Sequence, residues 1–406
     1  MPRAGNQGKK HVGRRLRGSQ EATQLTPEHS SGGAALPGGS GNSERISPQA
    51  RRHNEMRREA LRIDPAIRDL SGPFPCTALV LPLLIGLHWA IAWLVSSQPV
   101  WIIFLAAFVP GQLLVHAMGA LLHETAHRLV FRRDSHKLCF DLLLEVGMTT
   151  YGRQLTYQHE HITSHHPHIG DYERDYEHED ICAIQARRVL KASNPGLQRL
   201  ATLLTLLIHA LPLGPVIGDM VLPRINRWLS GFPPGDPQRD IGATRPPAWQ
   251  VRLFVGVSLC SNLAVLLLFG PWGLLYQVLS VSLFVGKLGV WNLGQSLSEH
   301  QGDDTVNPTR SHYGRINLLL FNTGYHNEHH TFPNVPWSRL PAVRKSAPQM
   351  FNHEAPKGYA AYWWEHIRQD FSPSRRNALQ NVDNTARCNG AGISVRAAGG
   401  QPRRRP

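Results

Sequence analysis

Charge-free apolar runs constrain this chain more tightly than any other feature. Two of them, about 75–97 and about 100–122, are each near the ~20 residues an α-helix needs to cross a bilayer, and Ser96-Ser-Gln-Pro99 between them reads as a hairpin link. Two more, about 251–270 and about 273–295, are joined by the uncharged turn Gly270-Pro-Trp-Gly273. Lipid offers the backbone no hydrogen-bond partner, so runs of this kind must be helical. The pattern predicts an all-α multi-pass membrane protein with four transmembrane helices in two hairpins.

The ends of the 406-residue chain have a different character. Residues 1–60 and 372–406 are rich in Gly, Ser, Pro, Asn and Arg, carry most of the formal charge of +14, and are expected to be disordered basic tails. Neither tail interleaves aromatics with its basic residues, so specific nucleic-acid binding is not expected, whereas contact with anionic lipid headgroups is. The first apolar run begins near Phe74, too late for a cleavable secretory signal, and would act as a signal-anchor. Five scattered cysteines without a CxxC pair imply neither a disulfide framework nor a thiolate-held metal.

Three histidine clusters lie beside the apolar runs: His123-Glu-Thr-Ala-His127, His161-Ile-Thr-Ser-His165-His166 and His326-Asn-Glu-His329-His330. Residues three or four apart share a helix face, so each cluster presents its imidazoles together. Eight imidazoles are too many for one metal, and neutral imidazole suits iron, zinc, copper or nickel, so a two-metal site at a membrane surface is expected. His123-Glu-x-x-His127 is also the zinc-peptidase motif, with Glu124 as general base, but such an enzyme needs one further ligand and leaves the other two clusters without a purpose. Soluble carboxylate di-iron proteins repeat Glu where this chain repeats His, which leaves a histidine-rich pair of irons. A non-enzymatic metal-handling membrane protein is the remote alternative, with ligands strung along a transmembrane path.

A shared site also fixes the number of crossings. The first two clusters precede the second hairpin and the third follows it, so an odd crossing between them would separate them. The segment Leu200–Leu222 is apolar but interrupted by Pro212 and Pro215, and is flanked by basic residues on both sides. Helices over about 185–230 are therefore expected to lie at the interface and join the clusters in a cytoplasmic helical cap. Lys and Arg are absent from both hairpin tips, which puts both termini in the cytoplasm.

The stretch 317–336, NLLLFNTGYHNEHHTFPNVP, followed by LPAVRKSAP at 340–348, resembles the membrane fatty acid desaturase superfamily and, in detail, the sphingolipid Δ4-desaturase (dihydroceramide desaturase) family. The resemblance runs from near His53 to about Ser374 and identifies 61–371 as a desaturase domain. It implies two iron ions, O2 as co-substrate, a membrane lipid substrate, and electrons from a separate carrier of cytochrome b5 or ferredoxin type, since the chain has no His-Pro-Gly-Gly haem motif. The implied reaction is introduction of a double bond into a long-chain sphingoid base, ceramide or related acyl chain. Lipid or alkane hydroxylation at the same site is the alternative. The implied location is the endoplasmic reticulum for a eukaryotic chain and the inner membrane for a bacterial one.

Two departures stand out. The family pattern for the second box is HxxHH, whereas this chain has His161-x-x-x-His165-His166, a spacing similar to that of alkane hydroxylases. After the fourth run the family commonly carries His and then Glu-His; here Gln295 replaces the first histidine, and Glu299-His300 remains. The expected metal ligands are thus His123, His127, His161, His165, His166, His326, His329 and His330, with His300 as the ninth. His159 and His168 are the substitutes for His161. Glu124, Glu299 and Glu328 are expected to orient neighbouring rings. His116, two turns before His123, together with Asp175, Glu177, Gln295 and Asn327, completes the set expected to support the site or touch substrate. His53 reads as an ordinary surface residue.

Overall fold

The structure, a computed structural model, describes residues 46–171, 174, 175, 177, 190, 191, 193–230, 246–300 and 306–372. Most of both expected tails, Cys182, Cys388 and the Pro-rich linker 231–245 lie outside the described residues.

Helix α1 (Pro48–Ile63) begins where Ser47 accepts the Ala50 N–H at 3.1 Å and Pro48 supplies a pre-set first turn. Its buried residues Ala50, His53, Met56 and Ala60 recur at helical spacing, and Met56 and Ala60 pack into a cluster with Phe332, Val335, Leu340, Val343 and Phe351. Residues 48–60 were expected to belong to the basic tail, and they instead form part of the folded unit. Its charged face hid a narrow apolar stripe.

Among the described residues, three helical stretches are long and apolar enough to cross a membrane: Pro65–Val95, Val100–Ala126 and Ala248–Glu299. The first ends in α2 (Val80–Val95), which buries Leu81, Leu84, Ile85, His88 and Ala92 and turns Leu83, Leu87 and Leu94 outward. A belt of exposed Leu and Trp of this size is what lipid contact requires of a surface. The second stretch comprises α3 (Val100–Ala106), a π-helical turn Ala107–Gly111 and α4 (Gln112–Ala126). Gly111 permits the neighbouring helix to close in: a Cβ there would clash with Ser280 Oγ. Gln112 bonds its own turn at Phe108 O and accepts the Val290 N–H at 3.0 Å.

The third stretch opens with α10 (Ala248–Val285), which is broken at Gly270 (φ 72°, ψ −174°), a conformation open to glycine. Gln277 donates to Asn262 Oδ1 at 2.9 Å although the two are 15 residues apart. A straight helix would separate them by roughly 22 Å, so the two halves fold back on each other at the Gly270-Pro271 turn. The run expected as a helix over 273–295 is not continuous. Helix α10 stops at Val285, Gly286 is extended, and α11 (Val290–Glu299) starts afresh. The break admits the cap: a Cβ on Gly286 would meet Pro215 at 2.7 Å and His209 at 3.1 Å.

The cap begins with α5 (Asp134–Met148), which packs against the spanning helices. Its fully buried Glu145 accepts from Thr150 Oγ1 at 2.8 Å and the Gly152 N–H at 3.1 Å, and also from Gln154 and Ser258. These bonds hold the left-handed Thr149, Tyr151 and Gly152 and so aim α6 (Arg153–Glu160) at the site. Helices α8 (Pro195–His209) and α9 (Gly214–Ser230) follow α7, the short turn His166–His168. At roughly 22 and 25 Å neither is long enough to span the hydrocarbon alone. Leu200, Leu203, Leu204 and Leu207 of α8 face outward while Gln198, Thr202, Thr205 and His209 face in. Helices α12 (His326–Thr331), α13 (Leu340–Ser346) and α14 (Tyr359–Phe371) complete the cap. No strand occurs among the described residues beyond a single bridge, Ser311 to Glu354.

Candidate metal centre

Among the described residues, nine histidines from four chain segments converge in two groups. His123, His127, His161, His166 and His329 form one, and His165, His300, His326 and His330 the other, with the ring nitrogens of each group within 4.8 Å of one another. These are the nine histidines singled out from sequence. His159 and His168 lie outside both groups.

Helix geometry explains the partition. His123 and His127 end α4 one turn apart. In α12, His326 and His330 are four residues apart and share the second group, whereas His329 points to the first. The long second box is solved by a π-helical turn, His161–His165, in which the His166 N–H bonds to His161 O. A π-turn absorbs one extra residue, so His161 and His166 meet in the first group while His165 reaches the second.

Carboxylates set the tautomers. Glu177 Oε1 lies 2.9 Å from His161 Nδ1, Asp175 Oδ1 lies 2.9 Å from His165 Nδ1, and Glu299 Oε2 lies 3.2 Å from His326 Nδ1. A proton on each Nδ1 leaves a bare lone pair on Nε2. Those lone pairs face other rings: His161 Nε2 is 3.1 Å from His127 Nε2 and 3.2 Å from His166 Nε2, His165 Nε2 is 3.3 Å from His330 Nε2, and His326 Nε2 is 3.0 Å from His300 Nε2. At such distances each bare nitrogen is shared either with an N–H of the facing ring or with a cation that both rings ligate. The donor set therefore fits two imidazole-bound metal ions, and Glu177, 3.6 Å from His165 Nε2 and 3.9 Å from His300 Nε2, stands between the two groups.

Electrostatics favour the neutral, ligating ring. Burial first, then mutual repulsion, holds His127, His161, His166, His326, His329 and His330 well below the usual imidazole pKa. His165 goes the other way. Burial opposes its charge, but Glu177 and Asp175 outweigh that and raise its pKa.

Other supporting residues divide. Glu299 does orient a ring, and also accepts from Gln295 Nε2 at 2.9 Å and Tyr359 OH at 3.4 Å. Glu124 and Glu328 turn away from the histidines, contrary to expectation. Glu124 accepts the Trp337 N–H at 3.2 Å and so ties the end of α4 to the loop before α13. Glu328 accepts from Ser311 at 2.6 Å and Tyr313 at 2.7 Å, and burial raises its pKa to about 7. Asn327 likewise faces Thr309, at 3.2 Å, and anchors α12 from behind.

His53 was missed. It is buried at 4% exposure, stacks on His330 at 5.3 Å, and bonds Thr331 at 3.1 Å and Thr309 at 3.3 Å. Its lone position on a charged helix gave no ligand-like spacing; the apolar stripe of α1 was the available signal.

A cavity of about 360 Å³ opens against both groups, reaching His123 and His161 on one side and His300 and His326 on the other. It runs along α4 past Ala120, Gly119 and His116, opposite Phe284, Val285, Asn292 and Gln295. Apolar walls from Leu122, Met148, Phe284 and Val285 alternate with polar side chains concentrated toward the histidines.

The family model for fatty acid desaturase matches residues 99–366, which takes in all nine histidines and the cavity. The chain belongs to the fatty acid desaturase family. Membership makes it an oxidoreductase and implies iron and O2 in general terms. The desaturase is similar to a sphingolipid delta(4)-desaturase DES1-like protein of Oryza sativa subsp. japonica, 28% identical over 305 residues that cover 74% of this chain and 81% of that protein. It is also similar to the sphingolipid delta(4)-desaturase/C4-monooxygenase DES2 of Bos taurus, 26% identical over 321 residues that cover 74% of this chain and 83% of the relative. The human protein of that name is 42% identical over 99 residues, 24% of this chain and 29% of its own. The family match in this desaturase begins after α1, so His53 lies outside it.

Proposed function

We propose that this protein is an O2-dependent di-iron lipid desaturase that removes two hydrogens from a long-chain sphingoid base or ceramide. The observation that carries the reading is the pairing of two histidine groups with one cavity that touches both. The sphingolipid substrate is supported by the names of the relatives. The overall balance is loss of two hydrogens from adjacent carbons and reduction of O2 to two waters, with two electrons and two protons supplied through a separate carrier of cytochrome b5 or ferredoxin type. When bound, iron supplies the oxidant for an unactivated C–H bond, which no side chain provides.

The protein's own part is to hold and shape. His123, His127, His161, His166 and His329 hold one ion, and His165, His300, His326 and His330 the other. Asp175, Glu177 and Glu299 keep the Nδ1 protons in place and the Nε2 lone pairs inward. Gly119 leaves room for a chain, since a Cβ there would press on Phe284 at 3.1 Å. Phe284, Val285 and Leu122 exclude water from that chain.

The membrane arrangement has four crossings in two hairpins, the second turning at Gly270-Pro271. The fold-back between Asn262 and Gln277 supports it. Helices α8 and α9 lie on the membrane through their outward leucines, and both termini are cytoplasmic, in the endoplasmic reticulum for a eukaryotic host or the inner membrane for a bacterial one. Tails rich in Arg contact anionic headgroups.

Hydroxylation is the second reading. The bovine relative carries both activities in its name, and both outcomes draw on one oxidant. Lipid extraction and mass spectrometry after expression with a supplied saturated sphingolipid separates them. A product two mass units lighter supports desaturation, one sixteen units heavier supports hydroxylation, and unchanged lipid from iron-loaded protein with a working donor contradicts both.

A further inference from the structure

The wall of the cavity holds a polar pair that the metal groups do not use. His116, on the cavity side of α4 two turns from His123, is 5% exposed, and its Nδ1 has no hydrogen-bond partner. Gln295 on α11 lines the same cavity beside His116, close enough for a weak side-chain contact between the two, and its Oε1 has no partner at full hydrogen-bond geometry. The orientation of that amide is set from behind. The Gln295 NH2 donates to Glu299 Oε1 at 2.9 Å, which turns the carbonyl away from that carboxyl group.

A purely hydrocarbon ligand would leave the two groups only that weak mutual contact in a buried wall, short of full hydrogen bonding. A hydroxyl meets both, because one oxygen accepts from an imidazole N–H and donates to an amide carbonyl. We propose that His116 and Gln295 form a hydroxyl-binding subsite, which selects chains bearing a hydroxyl over plain acyl chains. This deepens the desaturase reading and rests on it for the sphingoid substrate, whose secondary hydroxyl is the group assigned here. Because Gln295 is one hydrogen bond from Glu299, and Glu299 one from His326, a hydroxyl held here is registered against the second histidine group.

The test is ligand binding to the iron-loaded full-length protein in detergent, without an electron donor so that no turnover occurs, followed by Trp fluorescence. The probes are a saturated ceramide, its analogue lacking the secondary hydroxyl, and an analogue with the amide replaced by an ester. Wild type is expected to bind the ceramide roughly 10–100-fold more tightly than the deoxy analogue, the effect of leaving the buried pair unmet. His116→Leu should bring that ratio close to one, and His116→Asn, which keeps a polar edge, should restore part of it. Equal binding of ceramide and deoxy analogue by wild type, or a ratio unchanged in folded His116→Leu, overturns the subsite. So does a loss confined to the ester. Hydroxyl-selective binding by a protein that yields no product when loaded with iron and reduced would uphold the subsite and sink the desaturase reading instead.

Discussion

His165 Nδ1 and Asp175 Oδ1 meet at 2.9 Å with both side chains fully buried. Asp175 also accepts the Gly170 N–H at 3.2 Å and the Glu177 N–H at 3.0 Å, so one carboxylate fixes a ring tautomer and the position of the next acid. Loss of such a partner typically costs about 10–100-fold in metal affinity or activity. Asp175→Asn is expected to lower product formation by that order and to reduce bound iron toward one ion per chain. Metal analysis on purified protein checks it; an unchanged iron content would mean that Asp175 is dispensable to the second group.

His53 makes a parallel prediction from outside the family match. His53→Ala removes the ring stacked on His330 and leaves Thr309 and Thr331 short of a buried partner, at a cost of about 1–3 kcal/mol. Thermal unfolding should report that loss, and the iron content of the second group should fall with it. A variant with wild-type stability and iron would reduce His53 to a bystander.

The π-turn over His161–His165 predicts tolerance where a regular helix would predict collapse. Thr163 is exposed, and deleting it should return the turn to α-helix with the flanking residues in place, because a π-turn carries one residue more than the α-turn it replaces. The deletion is expected to bind iron, whereas a second insertion at the same point should abolish binding. Loss of iron in the deletion variant would show that the turn is not an absorbed insertion.

Labelling reads out the four-crossing arrangement. Single cysteines at Gln98 and Trp272, the two hairpin tips, should react with a membrane-impermeant maleimide from the side opposite to cysteines at Arg128 and Arg199. A common side for all four positions would overturn the two-hairpin topology.

Much of this was legible in the residues alone. Hydropathy located the apolar runs, and three-and-four spacing located eight of the histidines, because both properties repeat along the chain. His300 had no such repeat and came from resemblance. What spacing cannot express is a change of helix type, so the second box looked stretched until the π-turn between His161 and His166 accounted for it. It also cannot say which way a side chain turns. Glu124 and Glu328 sit beside histidines in sequence yet bond Trp337 and Ser311. The break at Gly286 is a tertiary effect: Pro215 and His209, more than a helix away in the chain, occupy the space a continuing side chain would need.

Every part of this reading depends on a pair of irons held by histidine. Protein purified from iron-supplemented cells, analysed for metals and by Mössbauer spectroscopy, tests that claim most directly. Two irons per chain in nitrogen-rich sites, with one lost when His326 and His330 are replaced, is the predicted result. A single zinc, or iron content indifferent to those replacements, would contradict it.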